Sequence, residues 1–380
     1  MKFDFFWCYR LLFIWFIVSA CAEKPDSNLI AKKYSSQSNV DSAVQIDSTA
    51  TKPKNVIFLI GDGMGLSEVS ASLFYQDQVS NFERFSTIGL IKTSSSSELV
   101  TDSAAGATAF ASGVKTYNGA ISVDQDSISV TTIIEHLEQK EFSTGIISTS
   151  AITHATPACF YAHTKSRKNY EDIALFLPTS NIDFFAGGGL EFFKNRKDEK
   201  NLFDALRNND YDLHTEKLPE IISEKKQAIL LAEDGMPKML EGRGDFLPDA
   251  TKLALDKLSN NKAGFMLVIE GSQIDWGGHD NDADYLITEL LDFDKTIGVA
   301  LDFALQNGET LVLVTGDHET GGFTLAADKN DYNIIVPKFA TGRHSATMIP
   351  VFAQGPGSSV FGGIYENTDI YHKLIALLKD

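Results

Sequence analysis

Asn55-Val56-Ile57-Phe58-Leu59-Ile60-Gly61-Asp62-Gly63-Met64-Gly65 is the stretch on which the reading of the fold turns. After Asn55 the run is continuously apolar and partly β-branched, the pattern of a strand buried on both faces as in a parallel sheet. It ends in glycines around an acid, which allow the backbone close to a ligand. Alone, Gly-Asp-Gly is also an ordinary turn.

The same unit returns further along. Gly264-Phe265-Met266-Leu267-Val268-Ile269-Glu270-Gly271 is an apolar run closed by an acid, followed directly by Gln273-Ile274-Asp275-Trp276-Gly277-Gly278-His279. Thr310-Leu311-Val312-Leu313-Val314-Thr315-Gly316-Asp317-His318-Glu319-Thr320 is the third. A fourth apolar run, residues 142–149, leads into His154-Ala155-Thr156-Pro157-Ala158. Shorter strands are expected at 85–93, 183–189 and 349–353. Helical patterns at 66–76, 130–140, 162–177, 251–258 and 284–306 alternate with the strands. That alternation predicts an α/β fold with a mainly parallel central sheet and helices on both faces. The poorly patterned 190–248 region is expected to be peripheral to the core.

In such sheets ligands bind outside the carboxyl ends of the strands. Asp62, Glu270, Asp275, Asp317 and His318 all fall there, with His154 and Thr156 just past another strand end. Buried carboxylates repel one another unless protons or cations neutralise them. Carboxylate with imidazole suits Zn²⁺, and carboxylate with hydroxyl suits Mg²⁺. The chain also carries Thr101-Asp102-Ser103-Ala104-Ala105-Gly106-Ala107-Thr108-Ala109-Phe110-Ala111-Ser112-Gly113, read as a short helix capped by Asp102 or Ser103 and stopped by Gly113. The free N–H groups and dipole at such an N-terminus favour an anion. Two metal ions near it would clamp an in-line displacement at phosphorus by the Ser103 oxygen, giving a covalent phosphoenzyme.

The 380 residues, 43% hydrophobic and 22% charged, suit one large domain. A net charge of -18 argues against a nucleic-acid partner, and it means that a phosphate-ester site must carry its own concentrated positive charge. Residues 1–21 have the length of an export signal; Val18-Ser19-Ala20-Cys21 resembles the bacterial lipoprotein signal, in which Cys21 would take a lipid, although Asp4 weakens the positive start. The reading is therefore an exported protein, periplasmic or at the cell surface, anchored through Cys21. Residues 22–53 read as a disordered tether, and 54–380 as the folded catalytic domain. Beyond Cys8 and Cys21 only Cys159 remains, so no intrachain disulfide framework is available; Cys159 reads as a packed core thiol.

In combination these motifs, with Ala162-His163-Thr164 ending at Arg167, resemble the alkaline phosphatase family in its compact bacterial form, from Lys54 to the C-terminus. The resemblance implies phosphate monoester hydrolysis through a phosphoserine at Ser103. It implies two Zn²⁺: one on Asp275, His279 and a late histidine, and one on Asp62, Asp317, His318 and the Ser103 oxygen. His344 fits the late histidine; His372, in the terminal helix, reads as a surface residue. Asp62, Thr156 and Glu270 would hold a third ion, usually Mg²⁺. His154 stands where some relatives have an acid, and Trp276 where others have a lysine or histidine, which leaves that ion's identity open. Arg167 would clamp two phosphate oxygens, with Asp102 also on the substrate side. His163 reads as structural. The short stretches 190–248 and 318–344 imply a reduced crown insertion and an open site, and the likeness also implies a homodimer. A phosphodiesterase of the same superfamily is the main alternative, disfavoured by Arg167, which needs two free phosphate oxygens. A sulfatase lacks its Pro-Arg sequence after the nucleophile. A non-catalytic metal- or phosphate-binding surface lipoprotein is the reading from another class.

Overall fold

The computed structural model describes residues 52–378; the expected export signal and nearly all of the tether lie outside the described residues. Its strands are β1 (Asn55–Gly61), β2 (Thr87–Lys92), β3 (Ser143–Ala151), β4 (Phe184–Gly188), β5 (Tyr211–His214), β6 (Lys226–Leu230), β7 (Phe265–Gly271), β8 (Thr310–Gly316), β9 (Glu319–Thr320), β10 (Thr324–Ala327), β11 (Ile335–Lys338), β12 (His344–Ser345), β13 (Ile349–Gln354) and β14 (Gly363–Glu366). Ten of them form one sheet in the order β14-β2-β13-β8-β1-β7-β3-β4-β6-β5. All neighbours are parallel except β13, which runs against both β8 and β2.

β1 lies at the centre, and its alternation decides which face each helix covers. Val56, Phe58 and Ile60 point into a core with Ala104, Ala107 and Phe110 of the helix Ser103–Ser112 and with Ile370 and Leu374 of the helix Thr368–Leu377. Ile57 and Leu59 point the other way, against Leu290, Phe293 and Ile297 of the helix Ala283–Asn307 and Ala254 of the helix Phe246–Leu258. Helices on both faces are thus present as expected. Register brings Ile60 level with both Glu270 and Thr315, and Gly61 level with Gly271 and Gly316. Three central strands therefore end together, and their acids gather at one carboxyl end of the sheet.

Three expectations change. Residues 190–248 are not wholly peripheral, because β5 and β6 extend the main sheet and Ile229 and Leu230 are fully buried. The helix expected over 162–177 is only Tyr170–Ala174: Thr164 instead exchanges both backbone hydrogen bonds with Ile121, which pulls this stretch out of helical geometry. The helix expected from 251 starts at Phe246, with Pro248 in its first turn, where a missing N–H costs nothing. Cys159 is fully buried, with its thiol against Thr108 Oγ1 and the Ala104 carbonyl, and burial pushes its pKa up to about 12. It is an inert core group.

Candidate active site

Asp102 is the N-cap of the serine helix, its carboxylate accepting from Ala105 N–H at 3.0 Å, so Ser103 is the first helical residue. Gly113 closes the helix in the left-handed conformation, φ 69°. Ser103 Oγ lies 3.3 Å from His318 Nε2 and 3.5 Å from Asp62 Oδ1, in buried surroundings. The nucleophile expected from the sequence therefore stands among candidate metal-binding side chains at a helix N-terminus.

The acids and imidazoles gather into three groups, each with donor atoms close enough to share one ion: Asp275, His279 and His344; Asp62, Asp317 and His318; Asp62, His154 and Glu270. Asp62 belongs to two of them. Asp275 and His279 come from one helix, Gln273–Asp280, at the i,i+4 spacing that puts both on one face. That helix was not legible in the sequence because it contains Gly277 and Gly278. A Cβ on Gly277 would lie 2.5 Å from Leu286 N, and one on Gly278 2.8 Å from the Thr320 carbonyl oxygen, so close packing requires both glycines.

Tautomers are fixed by carbonyls, which only accept. His279 Nδ1 lies 2.9 Å from Gly342 O, and His344 Nδ1 lies 2.9 Å from Thr101 O, so both Nδ1 atoms carry protons. In the neutral rings, both Nε2 lone pairs then face one another at 3.1 Å, beside Asp275 Oδ1. Lone pairs so arranged repel unless a cation lies between them. Thr320 extends the pattern: its hydroxyl donates to Asp275 Oδ1 at 2.5 Å and has its lone pairs free for His318 Nδ1 at 3.2 Å. His318 thus also presents an Nε2 lone pair, toward Ser103, Asp62 and Asp317.

Buried atoms without a partner mark the other two groups: Asp62 Oδ2, Asp317 Oδ2, Glu270 Oε1, Thr156 Oγ1 and His154 Nδ1. Each such atom costs about 1–3 kcal/mol if left unpaired. The other oxygen of Glu270 is saturated, accepting from Ser148 Oγ and Ser272 Oγ at 2.6 Å each. Burial, then the carboxylates of Asp317, Asp275 and Glu270, hold Asp62 well above the ordinary carboxylate range. Burial likewise raises Asp317 and Glu270, lowers His318 well below the usual imidazole value, and with Arg167 lowers His154 to about 3. Buried carboxylates that need positive charge beside them to ionise, together with imidazoles that stay neutral, form a donor set fitted to divalent cations.

Arg167 sits on a loop, and its Nη1 donates to Asp102 Oδ2 at 3.0 Å. Its Nη2 faces His154 Nε2 at 3.4 Å. His154 packs edge-on against Trp276, ring centroids 6.0 Å apart, so these two residues do meet beside the third group. Every site residue expected from the sequence lies in or beside this cluster. His163 lies apart from it, bridging Glu135 Oε1 and Ser122 O, and His372 is on the surface. Sequence reasoning assigned no part to Thr320, Ser148 or Ser272, whose only signal is hydroxyls beside the acids.

The family model described as Alkaline phosphatase matches residues 53–337. The chain is 40% identical over 293 residues to Alkaline phosphatase 3 of Bacillus subtilis (strain 168), covering 72% of this chain and 63% of that relative. It is 32% identical to Alkaline phosphatase 4 of the same organism, covering 86% of this chain and 89% of the relative. The structure of alkaline phosphatase from the Antarctic bacterium TAB5 superposes with a TM-score of 0.85 at 52% identity, over 87% of this chain and 99% of that one. The fold, the donor groups and these likenesses agree: the chain belongs to the alkaline phosphatase family, metalloenzymes that hydrolyse phosphate monoesters.

Proposed function

We propose that the chain hydrolyses phosphate monoesters in two displacements, with Ser103 as nucleophile and three bound cations. The observation that carries this reading is the place of Ser103 Oγ, 3.3 Å from His318 Nε2 and 3.5 Å from Asp62 Oδ1, at the head of its helix. In the first displacement the Oγ–phosphorus bond forms as the ester oxygen leaves and takes a proton. In the second, water attacks phosphorus, the Oγ–phosphorus bond breaks, and inorganic phosphate is released. Arg167, fixed by Asp102, supplies planar N–H donors for two phosphate oxygens; a monoester has three non-bridging oxygens, two for this clamp and one for the cations, whereas a diester has only two in all.

Asp275, His279 and His344 would hold one Zn²⁺; Asp62, Asp317, His318 and Ser103 Oγ would hold the second. Asp62, Glu270 and Thr156, with His154, would hold the third ion. A histidine-to-aspartate mutant of the TAB5 enzyme is described with Mg bound in its M3 site. An imidazole at the third group here leaves the choice open between Mg²⁺ and a transition ion. Bound cations supply the positive charge that lowers the serine pKa and stabilises the oxygens developing charge. From its N-terminal pattern we place the protein outside the cytoplasm, anchored through a lipid on Cys21, and from family likeness we take it to be a homodimer.

The test is an assay of a form beginning at Thr51 on an aryl phosphate monoester and the matching diester, with and without chelator, beside Ser103→Ala. Monoester turnover lost on chelation and cut by orders of magnitude in the variant supports the proposal. Preference for the diester moves the reading to a phosphodiesterase, and turnover of neither ester by metal-loaded protein leaves a binding role.

A further inference from the structure

We infer that Asn118, in the turn Tyr117-Asn118-Gly119, is a positioning residue for the phosphate clamp, an inference that rests on the phosphate-binding role proposed for Arg167. No part of the chemistry above uses this turn, yet its hydrogen bonds converge on the clamp. The Asn118 amide is fully engaged: Oδ1 accepts from Asp102 N–H at 3.2 Å, and Nδ2 donates to Glu98 Oε2 at 2.6 Å and to Val100 O at 3.1 Å. One side chain thereby ties down the 98–102 segment that delivers Asp102 and Ser103 to the helix.

Its neighbours hold the other half of the clamp. Gly119 N–H donates to Asp102 Oδ1 at 3.0 Å, while Gly119 O accepts from Arg167 N–H at 2.7 Å. Tyr117 OH donates to Lys165 O at 3.2 Å. With one Asp102 oxygen held by Ala105 and Gly119 N–H, only the other is left for Arg167 Nη1. The orientation of the guanidinium is therefore set from both ends by one turn. Gly119, at φ 89°, is in the left-handed region that glycine tolerates, which lets its N–H and C=O serve the two partners. None of the side-chain hydrogen bonds of Asn118 goes to a residue proposed to hold a cation, so its loss should weaken phosphate binding and spare the metals.

The test compares metal-loaded wild type with Asn118→Ala, Arg167→Ala and the double variant. It reads KM and kcat on an aryl phosphate, calorimetric Kd for inorganic phosphate, and metal content. Losing hydrogen bonds of this kind should raise KM and phosphate Kd about tenfold in Asn118→Ala. Metal content should stay at the wild-type level, and the variant should add nothing on the Arg167→Ala background. A full additional rise on that background, or an unchanged phosphate Kd, overturns the inference. Should Asn118→Ala fail to fold, Asn118→Asp keeps the acceptor for Asp102 N–H but sets a carboxylate against Glu98. Its raised Kd should then be recovered by adding Glu98→Gln, and no recovery overturns the inference. Absence of monoester turnover by the wild type sinks the proposed function, whereas the phosphate Kd still reads the role of Asn118.

Discussion

His279 and His344 face one another through their Nε2 atoms at 3.1 Å, while each ring gives its Nδ1 proton to a backbone carbonyl. Two backbone carbonyls thus leave both Nε2 lone pairs for one cation, shared with Asp275. Replacing His344 by Ala should remove close to one equivalent of bound metal and lower kcat/KM on the order of 100-fold or more, beyond the 10–100-fold typical of outer partners. Mass-spectrometric metal counting beside steady-state assays checks this, with His372→Ala as the variant that should change neither.

Glu270 directs one oxygen toward the third group because Ser148 and Ser272 occupy the other. Ser272→Ala should leave the carboxylate in place but freer to rotate. The Mg²⁺ concentration for half-maximal activity should rise about tenfold, with activity at saturating Mg²⁺ near wild type. Titration of chelated protein with Mg²⁺ in the presence of saturating Zn²⁺ measures it.

His163 and Glu135 form a partly exposed pair at 2.9 Å. Burial alone would lower the His163 pKa, but the hydrogen bonds to Glu135 and Ser122 O outweigh it and the pKa is raised; despite burial, the hydrogen bonds from His163 and from Thr132 N–H lower Glu135. A raised histidine stabilises the fold fully below its unfolded value, near 6.5, and this is lost as pH rises through the folded value. A lowered glutamate contributes above its unfolded value, near 4.3, and this is lost as pH falls. The advantage of wild type over His163→Gln should therefore peak between the unfolded values of the two groups, about pH 4.3 and 6.5, and shrink as the pH rises beyond that window. Solvent screening limits the charge contribution to about 1 kcal/mol. Urea unfolding of both proteins from pH 5 to 8 follows the difference.

Arg243 is buried between Glu289 and Asp292, with Nη2 2.5 Å and 2.9 Å from their carboxylates. Arg243→Met should cost about 3–5 kcal/mol, because two carboxylates would remain buried without their cation. Adding Glu289→Leu and Asp292→Leu should restore much of the loss. Thermal unfolding of the single and triple variants distinguishes this from simple loss of packing.

The three strand-and-acid units were legible because a strand buried on both faces is a continuous apolar run, and an acid at its end stands out. Glu270 follows such a run directly, Asp62 follows after Gly61, and Asp317 after Thr315-Gly316. Less legible was whatever depends on contacts distant in sequence. The helix carrying Asp275 and His279 has two glycines whose reason lies in the backbones of Leu286 and Thr320. Arg167 was expected on a helix and sits on a loop because Thr164 pairs with Ile121. β6, Lys226-Gln227-Ala228-Ile229-Leu230, begins with two polar residues and lies near the sheet edge, so it lacks the apolar length of the central strands. The hydroxyl of Thr320 connects Asp275 and His318 only after folding.

In the proposed function, phosphate passes through Ser103. Metal-loaded protein mixed with an isotopically labelled phosphate monoester, quenched in acid within the first turnovers and digested, reads this directly. Label should appear on the peptide containing Ser103, located at that serine, with neither label nor comparable turnover in Ser103→Ala. Undiminished turnover by Ser103→Ala, or label on another residue, would contradict it.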